Sequence, residues 1–172
     1  MAAETELARL FLEHSCKKLF KEWWPRMKSA VEGLSEEQIW WRPNTESNSV
    51  GNLLLHLNGN VHQWLVDSFN RQEDKRERAA EFNARSGRSG QELIEKLGTT
   101  LDEAARVLAR LTGDDLLTPF EIQGYHVTGL DAVYQVVEHF GLHYGQIVYV
   151  TKALQGKDLG FYQELKETGR AS

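Results

Sequence analysis

The chain is poor in cysteine, in proline and in positive charge. Cys16 is the single cysteine among 172 residues. No intramolecular disulfide can form, and the expected setting is a reducing cytoplasm. Pro25, Pro43 and Pro119 are the only prolines, which leaves long stretches free to be helical. The formal net charge is -5. A general nucleic-acid binder needs a basic field to meet phosphates, so nucleic acid is not an expected partner. No run of about 18 apolar residues occurs, so no membrane-spanning helix is expected. The opening Met1-Ala2-Ala3-Glu4-Thr5-Glu6 lacks the basic start and apolar run of a signal peptide. No repeat, low-complexity tract or linker interrupts the chain, which predicts one domain over 1–172. A chain of this size buries roughly 70% of its unfolded surface, enough for a sizeable core.

Helical periodicity fills most of what remains. A first long helix is expected from about Glu4 to Glu32, with Leu7, Leu10, Phe11, Leu19, Phe20, Trp23 and Trp24 along one broad stripe. Pro25 should kink or split it. Ser35-Glu36-Glu37-Gln38 has the capping-box pattern and predicts a short helix ending before Pro43. A second long helix starts at Asn48 or Ser49 and carries Val50, Leu53, Leu54, Leu57, Val61, Trp64 and Leu65, fading near Asn70. Residues 71–88 mix charges of both signs and read as a solvated connection. A third long helix opens at the capping box Ser89-Gly90-Gln91-Glu92 and closes at Thr112-Gly113-Asp114. Phe120 to Thr128 alternates around Gln123-Gly124, a small β-hairpin. A fourth long helix begins at Thr128, with Asp131 at its third position, and runs to about Leu154 before Gly156. The tail to Ser172 reads as a surface turn and a short helix. The expected fold class is all-α, a four-helix bundle with a short extra helix and a small hairpin before the last long helix.

The most informative stretch is His139-Phe140-Gly141-Leu142-His143. Residues four apart share one face of a helix, so both imidazoles point the same way. His56 sits in the apolar Leu53-Leu54-Leu55-His56-Leu57 of the second long helix. Imidazole is the commonest protein ligand for zinc and similar ions, and three histidines leave a fourth position open. The competing reading is three core histidines, each satisfied by its own neighbours. HxxxH is weaker than HExxH, because no glutamate sits between the histidines to act as a base. His14, His62 and His126 read as surface or locally bonded residues.

Ligating histidines usually donate their other N–H, which makes Asn60, Gln135 and Gln146 candidates to orient a ligand or touch a substrate. Gly141 and Gly145, like Gly51 and Gly59, predict close approach of a neighbouring helix or room for a ligand. Trp40 and Trp41 either line the mouth of a pocket or plug one end of the bundle. Cys16 has no base or helix start near it and is not expected to be reactive.

Ile39-Trp40-Trp41-Arg42-Pro43-Asn44, Asn48-Ser49-Val50-Gly51-Asn52-Leu53-Leu54-Leu55-His56-Leu57 and Val137-Glu138-His139-Phe140-Gly141-Leu142-His143-Tyr144-Gly145-Gln146-Ile147 together resemble the DinB-like (YfiT-like) superfamily, and within it the DUF1572 subgroup. The similarity runs from the first helix to about Leu154. It implies a divalent metal ion, zinc or nickel, held by His56, His139 and His143. It also implies a homodimer. Relatives include a mycothiol-dependent isomerase and bacillithiol transferases, which implies metal activation of a low-molecular-weight thiol.

Two kinds of function follow. In the first, the chain is a metal-dependent enzyme, a hydrolase or thiol S-transferase, acting on an electrophilic small molecule. In the second, it is a non-catalytic metal-stabilised bundle or a small-ligand binder.

Overall fold

The computed structural model describes residues 2–163, so the expected tail helix lies largely outside the described residues. Four long helical rods carry the fold. The first joins α1 (Ala2–Cys16), a π-helical stretch (Lys17–Trp23) and α2 (Trp24–Glu32). A short α3 (Glu36–Trp40) follows. The second rod joins α4 (Val50–Val61), a second π-helical stretch (His62–Asp67) and α5 (Ser68–Asn70). After α6 (Arg78–Asn83) comes the third rod, α7 (Gly90–Leu108), then α8 (Gly113–Leu117). Strands β1 (Pro119–Ile122) and β2 (Tyr125–Thr128) lead into the fourth rod, α9 (Gly129–Gln155).

Pro25 does not split the first rod. Proline lacks an N–H and presses on the carbonyl four residues back. Here the ladder before it widens, and the Trp24 N–H reaches the Leu19 carbonyl five residues away. The rod thus passes through a π-type register change. The expected stripe is corrected near the N-terminus. Leu7 and Leu10 are exposed, whereas Leu12, Ser15 and Leu19 are buried. The buried face of α1 includes a serine, whose hydroxyl donates to the Phe11 carbonyl at 2.8 Å. The two leucines outside that face were therefore the more conspicuous residues.

Five helices open on reciprocal capping boxes: Ser35 with Gln38, Ser49 with Asn52, Ser89 with Glu92, Thr112 with Asp115, and Thr128 with Asp131. Each satisfies two backbone or side-chain donors at a helix start. The Thr112 box shows that Gly113-Asp114, read as the close of the third helix, in fact opens α8. In the hairpin, Ile122 pairs with Tyr125. The two turn residues Gln123 and Gly124 both have positive φ, 55° and 79°, the type I′ geometry that matches strand twist.

The core is aliphatic. Leu19, Met27, Leu54, Leu57, Leu65, Leu93, Leu97, Leu101, Phe140 and Ile147 are among its fully buried side chains. Rod two lies at its centre, with α4 packed against α6, α7 and α9. Burial at roughly 25 cal/mol per Å² of apolar surface makes this core the main stabilising term.

Residues 71–88 are not merely solvated. α6 docks on α4 through residues of the Trp-Trp-Arg-Pro and Asn-rich motifs. Asn52 Nδ2 donates to the carbonyls of Glu81 (2.7 Å) and Ala84 (3.0 Å). Arg42 Nη2 donates to the carbonyls of Ala84 (3.1 Å) and Phe82 (3.3 Å) and to Asn52 Oδ1 (2.5 Å). These side chains satisfy carbonyls that a helix end leaves without partners.

Candidate metal centre

Two rods bring three imidazoles together. His56 comes from α4, and His139 and His143 come from successive turns of α9. Ring centroids lie 4.9 Å apart for His56–His139, 5.1 Å for His56–His143 and 4.4 Å for His139–His143. One nitrogen from each falls within 4.8 Å of the others. His56 Nε2 stands 2.8 Å from His139 Nε2.

The opposite ring nitrogens are engaged. His56 Nδ1 is 2.9 Å from Glu81 Oε2, and His143 Nδ1 is 2.7 Å from Gln146 Oε1. Gln146 Oε1 accepts from a protonated His143 Nδ1, whereas His56 Nδ1 faces both the Glu81 carboxylate and, at 3.0 Å, the Arg76 Nη2 donor. Gln146 was among the residues the sequence offered for this task. Asn60 and Gln135 border the neighbouring cleft and touch no histidine nitrogen by hydrogen bond among the described residues.

Glu81 was missed in the sequence, as were Arg76 and Phe82. Arg76 grips the Glu81 carboxylate with Nε (2.7 Å) and Nη2 (2.8 Å), and its Nη1 donates to Gln63 Oε1 at 2.9 Å. The Phe82 ring lies 4.7 Å from that of His56. Burial works to raise the Glu81 carboxyl, but hydrogen bonds from Arg76 and His56 outweigh it and hold the group below the usual range. Glu81 is therefore an anion committed to its neighbours, not a free base. The one sequence signal for this arrangement was Gly59, because a Cβ there would overlap Glu81 and Arg76.

His139 and His143 are kept neutral. Burial, then the charges of His143, His56, Arg76 and Arg78, push His139 down to about 3. Burial chiefly lowers His143 as well, with His56 adding to it against the opposing bond to Gln146. Three imidazoles, each offering a nitrogen within 4.8 Å of the others, fit a divalent metal ion.

A cleft of about 650 Å³ opens on His56 and His139. A larger one, about 810 Å³, is lined by Gly59, His62, Glu81 and Lys96. Arg76 borders both. Of the two, only the smaller is lined by candidate ligands, His56 and His139.

Other sequence-based candidates fall elsewhere. His62 pairs with Asp67 at 2.9 Å, and His14 is exposed. His126 stands in the hairpin, as expected, but also lines the smaller cleft. Trp40 packs where a Cβ on Gly51 would collide, and its Nε1 donates to the Arg88 carbonyl at 3.0 Å. Neither Trp40 nor Trp41 lines the two clefts. Gly141 makes room for Trp23, whereas among the described residues nothing lies within 4 Å of a Cβ placed on Gly145. The Cys16 thiol is pushed up by burial, which keeps it protonated and unreactive.

A family model described as "Protein of unknown function (DUF1572)" matches residues 6–163. The chain belongs to the DUF1572 family. A comparison with curated proteins found no match. Among solved structures, the fold is similar to that of a DinB-like protein from Bacillus cereus ATCC 10987. The TM-score is 0.64 at 14% identity, covering 87% of this chain and 93% of the other. This DUF1572 chain thus has the DinB-like fold. Among its described residues no helix is long and apolar enough to cross a membrane.

Proposed function

We propose that His56, His139 and His143 hold a divalent metal ion, zinc or nickel, and that the protein is a metal-dependent enzyme for a small molecule, a hydrolase or a low-molecular-weight-thiol S-transferase. The observation that supports this is convergence: one nitrogen from each of the three imidazoles, drawn from two separate rods, lies within 4.8 Å of the others. Glu81 and Gln146 pair with the Nδ1 atoms of His56 and His143 and hold those rings in place. When bound in such a site, a divalent ion lowers the pKa of a water or thiol, which supplies a nucleophile at neutral pH.

The chain's own residues have the supporting tasks. Arg76 fixes Glu81, Glu81 holds the His56 ring, and the cleft admits the substrate beside His56 and His139. A cytoplasmic setting and a homodimer belong to this proposal, as does a thiol co-substrate. Metal analysis of untagged protein tests the site first. Wild type should carry about one ion per chain and His143→Ala far less; equal content in both would remove the ligand assignment. Metal-loaded protein is then offered electrophiles with bacillithiol, mycothiol, glutathione or coenzyme A. A large fall in Tm on chelation, with no turnover in any thiol arm, would instead favour a structural ion.

A further inference from the structure

Two residues that line the cleft over the histidines carry buried polar atoms without partners among the described residues. His56, Asn60 and Trp64 follow one another at intervals of four along the second rod, and all three line the cleft. Asn60 is 3% exposed and Trp64 6%. The Asn60 amide oxygen and the Trp64 indole nitrogen are buried with no hydrogen-bond partner among the described residues. Buried polar groups are nearly always paired, and an unpaired one costs on the order of 1–3 kcal/mol. Two on one wall of one cleft, beside candidate ligands, point to a molecule that pairs with them.

The charges around the cleft say what that molecule carries. Asp131 is its one lining carboxylate among the described residues, and it is committed to capping α9. It accepts from the Thr128 N–H at 2.8 Å and the Thr128 hydroxyl at 2.6 Å. Arg76 is neutralised by Glu81. Arg78 is different. Its guanidinium lies 5.0 Å from the centre of the Phe82 ring, and it forms no ion pair among the described residues. Phe82 in turn packs on His56, so this guanidinium is placed close to the histidine group. One uncommitted cation, an indole N–H and an amide oxygen thus share the cleft.

We propose that this cleft is a subsite for a small carboxylate, with Arg78 meeting its charge and the Trp64 and Asn60 pair meeting the polar groups beside it. A single guanidinium matches a single carboxylate in charge and planar shape. Phosphate sites gather several donors or a helix N-terminus instead. The inference deepens the metal-enzyme reading by naming its substrate class, and rests on that reading only for the chemistry at the neighbouring histidines.

The test titrates glycolate, one carboxylate with one hydroxyl, into the full-length protein, zinc-loaded and after chelation, by ligand-observed NMR. Glycolamide supplies the neutral isostere and inorganic phosphate the competing anion. Glycolate should bind in both metal states, with glycolamide and phosphate at least about tenfold weaker. Arg78→Gln, an exposed substitution, should weaken glycolate about tenfold with Tm unchanged. Trp64→Phe, which removes the N–H and keeps the aromatic ring, should weaken it several-fold. Equal binding of glycolamide or phosphate overturns the carboxylate assignment. So does indifference to Arg78→Gln, or binding seen only with zinc, which would mean direct ligation of the ion. Loss of zinc binding alone, with Arg78-dependent glycolate binding intact, would sink the metal reading and leave the subsite standing.

Discussion

Gly59 and Glu81 are shaped to each other across 22 positions of sequence. A Cβ at residue 59 would overlap Glu81 Oε1 and come within 2.7 Å of Arg76 Nε. The absence of a side chain on α4 is what lets the Arg76–Glu81 pair lie behind His56.

Gly59→Ala should therefore separate stability from metal affinity. Alanine favours a helix by about 1 kcal/mol over glycine, which offsets the strain of shifting the end of the Glu81 side chain. Tm should move by a few degrees at most, while zinc affinity falls about 10- to 100-fold as His56 loses its orienting carboxylate. Competition with a chromophoric chelator measures it. Unchanged affinity would show that Glu81 does not orient His56.

Removing the charge of Glu81 should be more damaging. Glu81→Gln leaves Arg76, 5% exposed at its side chain, without its anion. Breaking such a pair costs roughly 3 kcal/mol or more. Replacing Arg76 and Glu81 together with leucine should recover much of that stability in urea melts, yet zinc affinity should stay low. A double variant that binds zinc like wild type would place the pair outside the metal centre.

Asn52→Ala should release α6 without touching any histidine. Asn52 is fully buried and bonds to Ser49, Arg42 and the carbonyls of Glu81 and Ala84. The expected loss is about 2 kcal/mol. Amide exchange should accelerate over residues 78–84 more than over α7. Uniform exchange across both would show that α6 is not a separately anchored unit.

Acid should weaken the fold through its helix starts. Bonds from the Thr128 hydroxyl and then its backbone N–H hold Asp131 below the usual range. The Thr112 hydroxyl and N–H do the same for Asp115, and the Ser89 backbone and hydroxyl for Glu92. A carboxyl with a depressed folded pKa contributes stability that is fully present above its unfolded pKa, about 4. That contribution is lost as pH falls through the folded value. Urea midpoints should hold from pH 7 to 5 and drop below 4, and Asp131→Asn should make the drop shallower. An identical slope in the variant would remove Asp131 from the acid response.

Local chemistry was the part of this structure legible in the sequence. Ser35 with Gln38 and Ser89 with Glu92 signal their helices because a capping box is complete within four residues. His139 and His143 signal a shared face for the same reason. His56 joins them because its own helix is apolar enough to be central. Thr112 was misread because Gly113-Asp114 resembles a stop as much as a start. Glu81 was hidden because its partner is 25 residues away and its segment has no periodicity. Nothing local distinguishes a carboxylate that reaches a histidine from one that faces water. Trp64 reads as part of an apolar stripe and Asn60 as a residue that orients or touches a ligand, but the missing partners of their polar atoms depend on packing that no local pattern encodes.

The segment between Asn70 and Ser89 gives the centre an unusual division of labour. The candidate ligands are fixed by the bundle, yet the aim of His56 is set by a clamp that α4 holds from outside. Exchanging that clamp alone, with rods and histidines untouched, should retune ion affinity and neighbouring charge together, so new reactivity can arise here without rebuilding the scaffold.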